Sequence, residues 1–304
     1  MMLPLIRAVL WRFCSLPAFA FVATGLAWQS SGAVMPLPHP QDGTVAAGIY
    51  TNKYFDLSYP LPAGWTTGMA GPRPSYTAYY VLSTLVPPGE RTGRILIAAQ
   101  DAFFAIKTVS HSAAMALDLA RAMSEIDGTT VDQPAEVGVA GRAFSRVRFS
   151  GFGLFRSIWI TEMRCHLVSF NLTTNNADQL AALELSLNKL GPAGDRGRDD
   201  GDPVCQKNQA DPENLVKKVD PPASAPLFTR IPVRVIIDVD GSVKDVHVIR
   251  ATVEQRSGIE TALGQWKFRP PEIDGRAAAI ETGLLIEFTP GGKVNYLPGD
   301  RAQF

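Results

Sequence analysis

Hydrophobic positions recur with two different periods along this chain, and each change of period marks an element. Tyr54-Phe55-Asp56-Leu57-Ser58-Tyr59 alternates and stops at Pro60, which predicts a strand. Pro62-Ala63-Gly64-Trp65 turns the chain, with Trp65 expected to plug the edge of the core. Runs rich in β-branched and aromatic residues at Ala78–Val86 and Arg94–Gln100 predict two further strands, separated by Pro87-Pro88-Gly89. Over Ser112–Ile126 the period lengthens: Met115, Leu119 and Met123 fall four apart, as a helix requires, and Gly128 closes it. Alternation returns in Ala143–Ser150, Leu154–Glu162 and His166–Thr173, the first two joined through Gly151 and Gly153. A second helix is expected over Ala177–Leu190. Asn175 or Asn176 would cap it, Leu180, Leu183, Leu187 and Leu190 form its stripe, and Gly191-Pro192 ends it. Strands segregated from flanking helices predict an α+β domain over residues 45–191, built on a mainly antiparallel sheet with two helices.

The pattern breaks between residues 192 and 226. This stretch holds six prolines and the polar run Asp195–Asp202, and is read as a linker with a short helical turn at Glu213–Lys218. Beyond it, Ile231, Val233, Val235, Ile237 and Val239 alternate along one strand, Asp240-Gly241 turns, and Val243–Arg250 returns as a hairpin. Ile259, Ala262, Leu263 and Trp266 then follow helical spacing up to Pro270-Pro271. After a turn at Asp274-Gly275, Thr282, Leu284, Ile286 and Phe288 form a third strand. Residues 227–290 are therefore expected to lay one helix across a three-stranded antiparallel sheet, a small second α+β domain, with 291–304 as a tail.

Charge alters the reading of the N-terminus. Arg7 and Arg12 precede an apolar stretch from Phe13 to Trp28, and no acid occurs before Asp42. That order is the one of a secretory signal peptide, assigned here to residues 1–33. At about 16 residues the apolar run is shorter than the ~20 of a membrane span, and a membrane association is expected only if the segment stays uncleaved. The whole chain balances 29 basic against 29 acidic residues, and loss of the two arginines would leave 27 against 29. No basic footprint for nucleic acid results. Charged residues at 19% of the chain argue against wholesale disorder. A periplasmic or secreted protein is the expectation.

Candidate chemistry is sparse. His39, His111, His166 and His247 are far apart, and no metal, phosphate-loop or nucleophile motif occurs, so neither a cofactor, a metal nor a catalytic set is expected. Asp199, Asp200 and Asp202 lack the spacing of a calcium loop. Cys165 and Cys205 are the cysteines that remain after the signal. In an oxidising compartment they either pair or persist as two thiols. Pairing would close a loop of about 40 residues, for a stabilisation of about 3–4 kcal/mol. Arg234 and Lys244 read as ordinary solvated strand positions.

Several of these residues carry a family resemblance. Val233-x-Val235-x-Ile237-Asp238-x-Asp240-Gly241-x-Val243-x-Asp245-Val246, then Trp266-x-Phe268-x-Pro270, the turn at Gly275 and the strand ending in Phe288 resemble TonB C-terminal domains over about residues 218–290. The resemblance implies a periplasmic module that binds a protein partner by strand addition to an open sheet edge, in known members a TonB-dependent outer-membrane receptor in transmembrane transport. Two features of the energy-transducing members are missing: the apolar N-terminal segment has no histidine, and it leads into a folded domain. More generally, Phe55-x-Leu57-x-Tyr59-Pro60 with Trp65, and Leu167-Val168-Ser169-Phe170 before a leucine-striped helix, resemble the PsbP-like fold over about residues 50–190. The expectation is a non-enzymatic envelope protein that binds a protein partner. The alternative is a periplasmic binder of a small ligand or lipid, using Tyr76, Tyr79 and Tyr80 beside Trp65.

Overall fold

Tight two-residue turns connect most of the antiparallel strands in the N-terminal half. The computed structural model describes residues 37–89, 92–105, 111–194, 203–222, 229–290 and 293–299. The signal segment, Asp199, Asp200 and Asp202 lie outside them. Strands β1 (Thr44–Ala46), β2 (Ile49–Asn52) and β3 (Leu57–Pro60) form a small antiparallel meander. Next come β4 (Thr66–Thr67), β5 (Tyr79–Val86), β6 (Arg94–Asp101), helix α1 (Ser112–Ser124), β7 (Thr130–Val131), β8 (Ala135–Val139), β9 (Arg142–Gly151), β10 (Leu154–Met163), β11 (His166–Thr174) and helix α2 (Ala177–Ser186). The strands from β4 to β11 make one sheet in the order β4-β5-β6-β11-β10-β9-β7, with β8 also on β9. Ala140-Gly141, Phe152-Gly153 and Arg164-Cys165 join β8 to β9, β9 to β10 and β10 to β11, and all six residues have positive φ, the geometry whose twist suits a two-residue hairpin.

Alternation along β10 and β11 divides the helices between two faces. Ile160 and Leu167 point to α1 and pack with its Ala116. Trp159, Val168, Phe170 and Leu172 point the other way, into the main core with Leu180, Leu183 and Leu187 of the α2 region and Tyr50, Leu57 and Tyr59 of the meander. Asn176 caps α2, its Oδ1 accepting from the Gln179 amide at 2.9 Å. Glu184 of α2 pairs with Arg148 of β9 and accepts from Ser157 of β10. The expected strand over Tyr54–Tyr59 is shorter than its alternation suggests. Asn52 Oδ1 accepts from the Phe55 amide at 3.1 Å and closes a turn, so Tyr54 and Phe55 enter the core from a loop.

The C-terminal half adds β12 (Val204–Cys205), β13 (Leu215–Lys217), β14 (Arg230–Ile237), β15 (Val243–Val248), helix α3 (Val253–Leu263), β16 (Lys267–Phe268), β17 (Glu272–Ile273), β18 (Arg276–Ala277), β19 (Ile280–Phe288) and β20 (Val294–Pro298). Its main sheet has five strands, ordered β12-β19-β14-β15 with β20 also on β19. Two expectations change here. The expected three-stranded sheet gains β20 from the supposed tail, because Val294 and Tyr296 pack into the core. It gains β12 from the supposed linker, where Ala210, Leu215 and Val219 also find places against that core. Isolated apolar residues in a polar, proline-rich stretch are weak as a pattern but sufficient as anchors. Leu37–Phe304 forms one compact unit.

Helix α3 opens with a capping box between Thr252 and Gln255, and buries Ile259, Ala262 and Leu263 on one face of this sheet. Ile231, Val233, Val235 and Ile237 meet it from β14. The hairpin turn is clamped to the segment after the helix. Phe268 donates its amide to the Gly241 carbonyl at 2.8 Å, and Lys267 reaches Asp240 at 2.9 Å. A Cβ on Gly241 would lie 2.1 Å from the Phe268 carbonyl oxygen, and φ there is +84°, so only glycine fits. Trp266 is 2% exposed and donates its indole N–H to the Val219 carbonyl at 2.7 Å. Replacing it leaves a large void and an orphaned carbonyl. Trp266→Ala should destabilise the protein by about 3–5 kcal/mol in urea denaturation; an unchanged midpoint would contradict this packing.

Candidate functional site

The face of the C-terminal sheet turned away from α3 meets the N-terminal half, and charged residues meet there. On β14 the alternation that sends Val233 and Val235 to α3 sends Arg234 to the opposite side, where it is 1% exposed rather than solvated as expected. Gly283 of β19 lies opposite Arg234 in the register. A Cβ there would come within 2.7 Å of the Phe103 side chain, so glycine lets the segment after β6 press against the sheet. That approach brings Asp101, at the end of β6, to Arg234: Nη1 donates to Oδ2 at 2.7 Å. Arg234 Nε donates to Glu281 Oε1 of β19 at 3.0 Å. Tyr54 donates its hydroxyl to the same oxygen at 2.7 Å, and Arg164 reaches Glu281 Oε2 at 3.2 Å. Two guanidiniums and two carboxylates are thus gathered from four separate segments.

Burial and partner count set the charge states. Burial raises a carboxyl's pKa, yet Arg234 and Arg164 overcome this at Glu281 and hold it at about 2. Asp101 goes the opposite way. Burial dominates, and Arg234 only partly offsets the rise. Burial also opposes the charge on Arg234, but Asp101 and Glu281 hold its pKa well above the usual value. His166 lies beside them with its Nδ1 against the Arg164 carbonyl at 2.7 Å; its Nε2 is 3.6 Å from Asp101 Oδ2, too long for a hydrogen bond. Burial and the neighbouring Arg234 depress its pKa well below 6.5, so the ring is neutral. The network is charge-balanced, with Asp101, Arg234 and Glu281 buried and Arg164 partly exposed.

The turn between β10 and β11 is the hub. Arg164 and Cys165 hold φ values of 44° and 55°, a left-handed region costing on the order of 1–3 kcal/mol per non-glycine residue. Several contacts hold it there. Arg164 Nη1 donates to the Tyr54 carbonyl at 3.1 Å, Ala102 donates to the Cys165 carbonyl at 2.8 Å, and Cys165 is joined to Cys205 of β12 with Cα atoms 5.9 Å apart. The cysteines that the sequence left open as a pair or as two thiols thus form a disulfide, which brings β12 to the edge of β19.

Two surface features lie outside the network. Among the described residues no strand covers the outer edge of β15. Ile249 donates to the Pro232 carbonyl, so by antiparallel alternation Lys244 and Val246 turn their backbone N–H and C=O groups outward. Arg256 occupies the Val248 carbonyl at 2.6 Å and bounds that edge. By contrast, the outer edge of β19, which a three-stranded sheet would leave open, is covered by β12 at Ile280–Glu281 and by β20 at Leu284–Phe288. Separately, a groove of about 480 Å³ runs along Val81–Thr84 of β5, beneath the loop from Gly68 to Pro74.

The expected site residues fall into distinct places. Asp240, Gly241, Trp266 and Phe268 come together as a structural clamp. Gly275 forms the β17–β18 turn, exposed Pro270 follows β16, and Phe288 ends β19 in the core. Tyr80 and Trp65 are buried in the N-terminal core, while Tyr76 lies under the Arg250 guanidinium at 4.3 Å and away from them. Asp101, Arg164, Arg234 and Glu281 went unsuspected. Their one signal is a charge interrupting an apolar strand, in Ile231-Pro232-Val233-Arg234-Val235 and Ile280-Glu281-Thr282.

No family model and no curated protein matches the chain. The solution structure of cyanobacterial PsbP (CyanoP) from Synechocystis sp. PCC 6803 is similar over 49% of this chain and 95% of that one, with a TM-score of 0.35 and 11% identity. So distant a likeness carries nothing on ligand, partner or activity. Among the described residues no helix is long and apolar enough to cross a membrane.

Arg234→Met would leave two buried carboxylates facing each other, and should destabilise by about 3–5 kcal/mol at neutral pH. Adding Asp101→Asn, which removes the carboxylate left without a cation, should recover part of that loss, and a further loss would contradict the pairing. Acid should act in two stages. His166 and His247 have folded pKa values depressed well below 6.5, so stability present above 6.5 falls as the unfolded chain alone takes protons. Glu281 adds a second loss between 4.5 and about 2, opposed by Asp101, whose raised pKa favours the folded state as it protonates. Urea midpoints measured from pH 8 to 3 should decline from about pH 6.5, and His166→Asn should flatten that first decline.

Proposed function

We propose that this chain is a non-enzymatic protein of the cell envelope that holds a protein partner by strand addition along β15. The observation that carries the reading is the outer edge of Val243–Val248, which presents backbone groups while the opposite edge of the sheet is already covered. Export rests on the arginines and apolar run of the first 33 residues. The ordered motifs from Val233 to Phe288 support a TonB-like module, and the resemblance makes a TonB-dependent outer-membrane receptor the partner to try first. The non-enzymatic reading is supported by the Asp101–Arg234–Glu281 cluster being buried and internally paired. Val246→Pro deletes an outward N–H without removing a bond to β14. In capture from envelope extracts it should weaken recovery of the wild-type partner about tenfold, equivalent to ~1.4 kcal/mol, with the melting temperature retained. Equal recovery by wild type and variant would sink the strand-addition reading.

The groove beside β5 favours a second reading, a small-ligand or lipid binder. Thermal-shift screening of the full chain separates the two. A ligand-dependent rise that Ser83→Arg abolishes would place binding in the groove, and no rise with any apolar ligand would remove this alternative.

A further inference from the structure

We propose that Cys165–Cys205 is a site of thiol–disulfide exchange, with a dithiol reductant as its substrate, and that reduction opens the outer edge of β19 at Ile280–Glu281. What such an opened edge would bind rests on the strand-addition reading above; the opening itself does not.

Besides the disulfide, few bonds hold β12. It has two residues and pairs in parallel, with Val204 donating to the Ala279 carbonyl at 2.8 Å and Gln206 to the Glu281 carbonyl at 3.0 Å. So short a parallel strand has almost no independent stability. Anchorage in the protein interior resumes at Lys207, whose carbonyl accepts from the buried Thr282 hydroxyl at 3.4 Å, then at Gln209, which donates to the Arg269 carbonyl at 3.1 Å, and at fully buried Ala210. The releasable piece is therefore 203–206, fastened by Cys205. β20 covers Leu284–Phe288 independently through five paired positions. Freeing β12 would bare Ile280 and Glu281 of β19 and leave the rest of the sheet closed, which makes this a local gate.

The bond is also within reach of a reagent. Cys165 is at a hairpin turn, both cysteines are only half-buried, and Val204 beside Cys205 is 42% exposed. A thiolate of the reductant attacks one sulfur, forms a mixed disulfide and expels the other cysteine as thiolate, which takes up a proton. The reductant's second thiol then attacks the mixed disulfide and releases the remaining protein thiol. Two electrons and two protons pass to the protein, which ends with two thiols, and the dithiol ends as its own disulfide. Release exposes the backbone of Glu281, whose carbonyl accepts the Gln206 amide in the closed state. The amides of Val204 and Gln206 therefore report the gate directly.

Amide hydrogen exchange of the full chain, read by mass spectrometry before and after dithiothreitol, tests the proposal. Reduction should speed exchange at Val204 and Gln206 by about tenfold or more, with β14, β15 and the Leu284–Phe288 part of β19 still protected, and reoxidation should restore it. Cys205→Ser should show the same local opening without reductant. Unchanged exchange would mean that β12 holds without the bond. Protection lost across the sheet, a Cys205→Ser variant that does not fold, or a bond that dithiothreitol cleaves only in denaturant would make the bond a staple of the whole fold. Any of these overturns the proposal. Val246→Pro reads the other edge, so failure there leaves this result intact.

Discussion

Arg234 is the residue around which the two halves of this protein are arranged. A guanidinium at 1% exposure is tolerable only if its charge is matched at hydrogen-bond distance, and Asp101 and Glu281 provide that match from opposite sides. One of them comes from the N-terminal sheet and the other from the C-terminal sheet. The arrangement therefore fixes more than a pair. It requires β6 to end at Asp101, the Phe103 side chain after β6 to lie against Gly283, and Arg164 to balance Glu281 from the β10–β11 turn. Such buried networks are poor sources of net stability and strong sources of specificity, since any other docking of the two sheets strands a charge.

The same constraint explains why the C-terminal sheet is not an isolated module. A strand buried on one face alternates apolar and polar residues, whereas β14 is buried from Ile231 to Ile237 without a break. Its second face exists to meet the N-terminal half. Covering that face commits Arg234, Glu281 and Tyr54 to one another. Contacts with another molecule are then left to the margins of the fold, namely strand edges and the groove beside β5.

Periodicity and turn residues made most of the secondary structure legible. The strands at 142–151, 154–163 and 166–174, and the leucine stripe of α2, lie close to their expected bounds because runs of apolar and β-branched residues end there at two-residue turns or a helix cap. It misled at Tyr54–Tyr59, where an asparagine side chain bends the backbone, and at Arg234, where alternation looked like solvent exposure but marked a second interior. Interiors built from long-range charge pairs leave no local period: Asp101 and Arg234 are 133 positions apart. The short strands β12 and β20 were equally hidden, because each is defined by pairing to β19 rather than by its own composition. Cysteine counting pointed to the disulfide as one of two outcomes, but not to the edge it would cover.

Those edges connect the buried network to whatever the surface does. β19 lies between β14 and two short covering strands, and it contributes Glu281 to the network through its side chain and accepts from Gln206 through its backbone. Its interior position is fixed by charge and its outer edge by a disulfide. β15 has no such cover among the described residues, and its Lys244 is the kind of exposed charge that discourages indiscriminate edge pairing without preventing a specific one. One edge restrained covalently and one protected only by charge is an asymmetry that a purely structural domain has no need to maintain. It is this asymmetry, more than any cluster of reactive groups, that directs the functional reading toward protein binding.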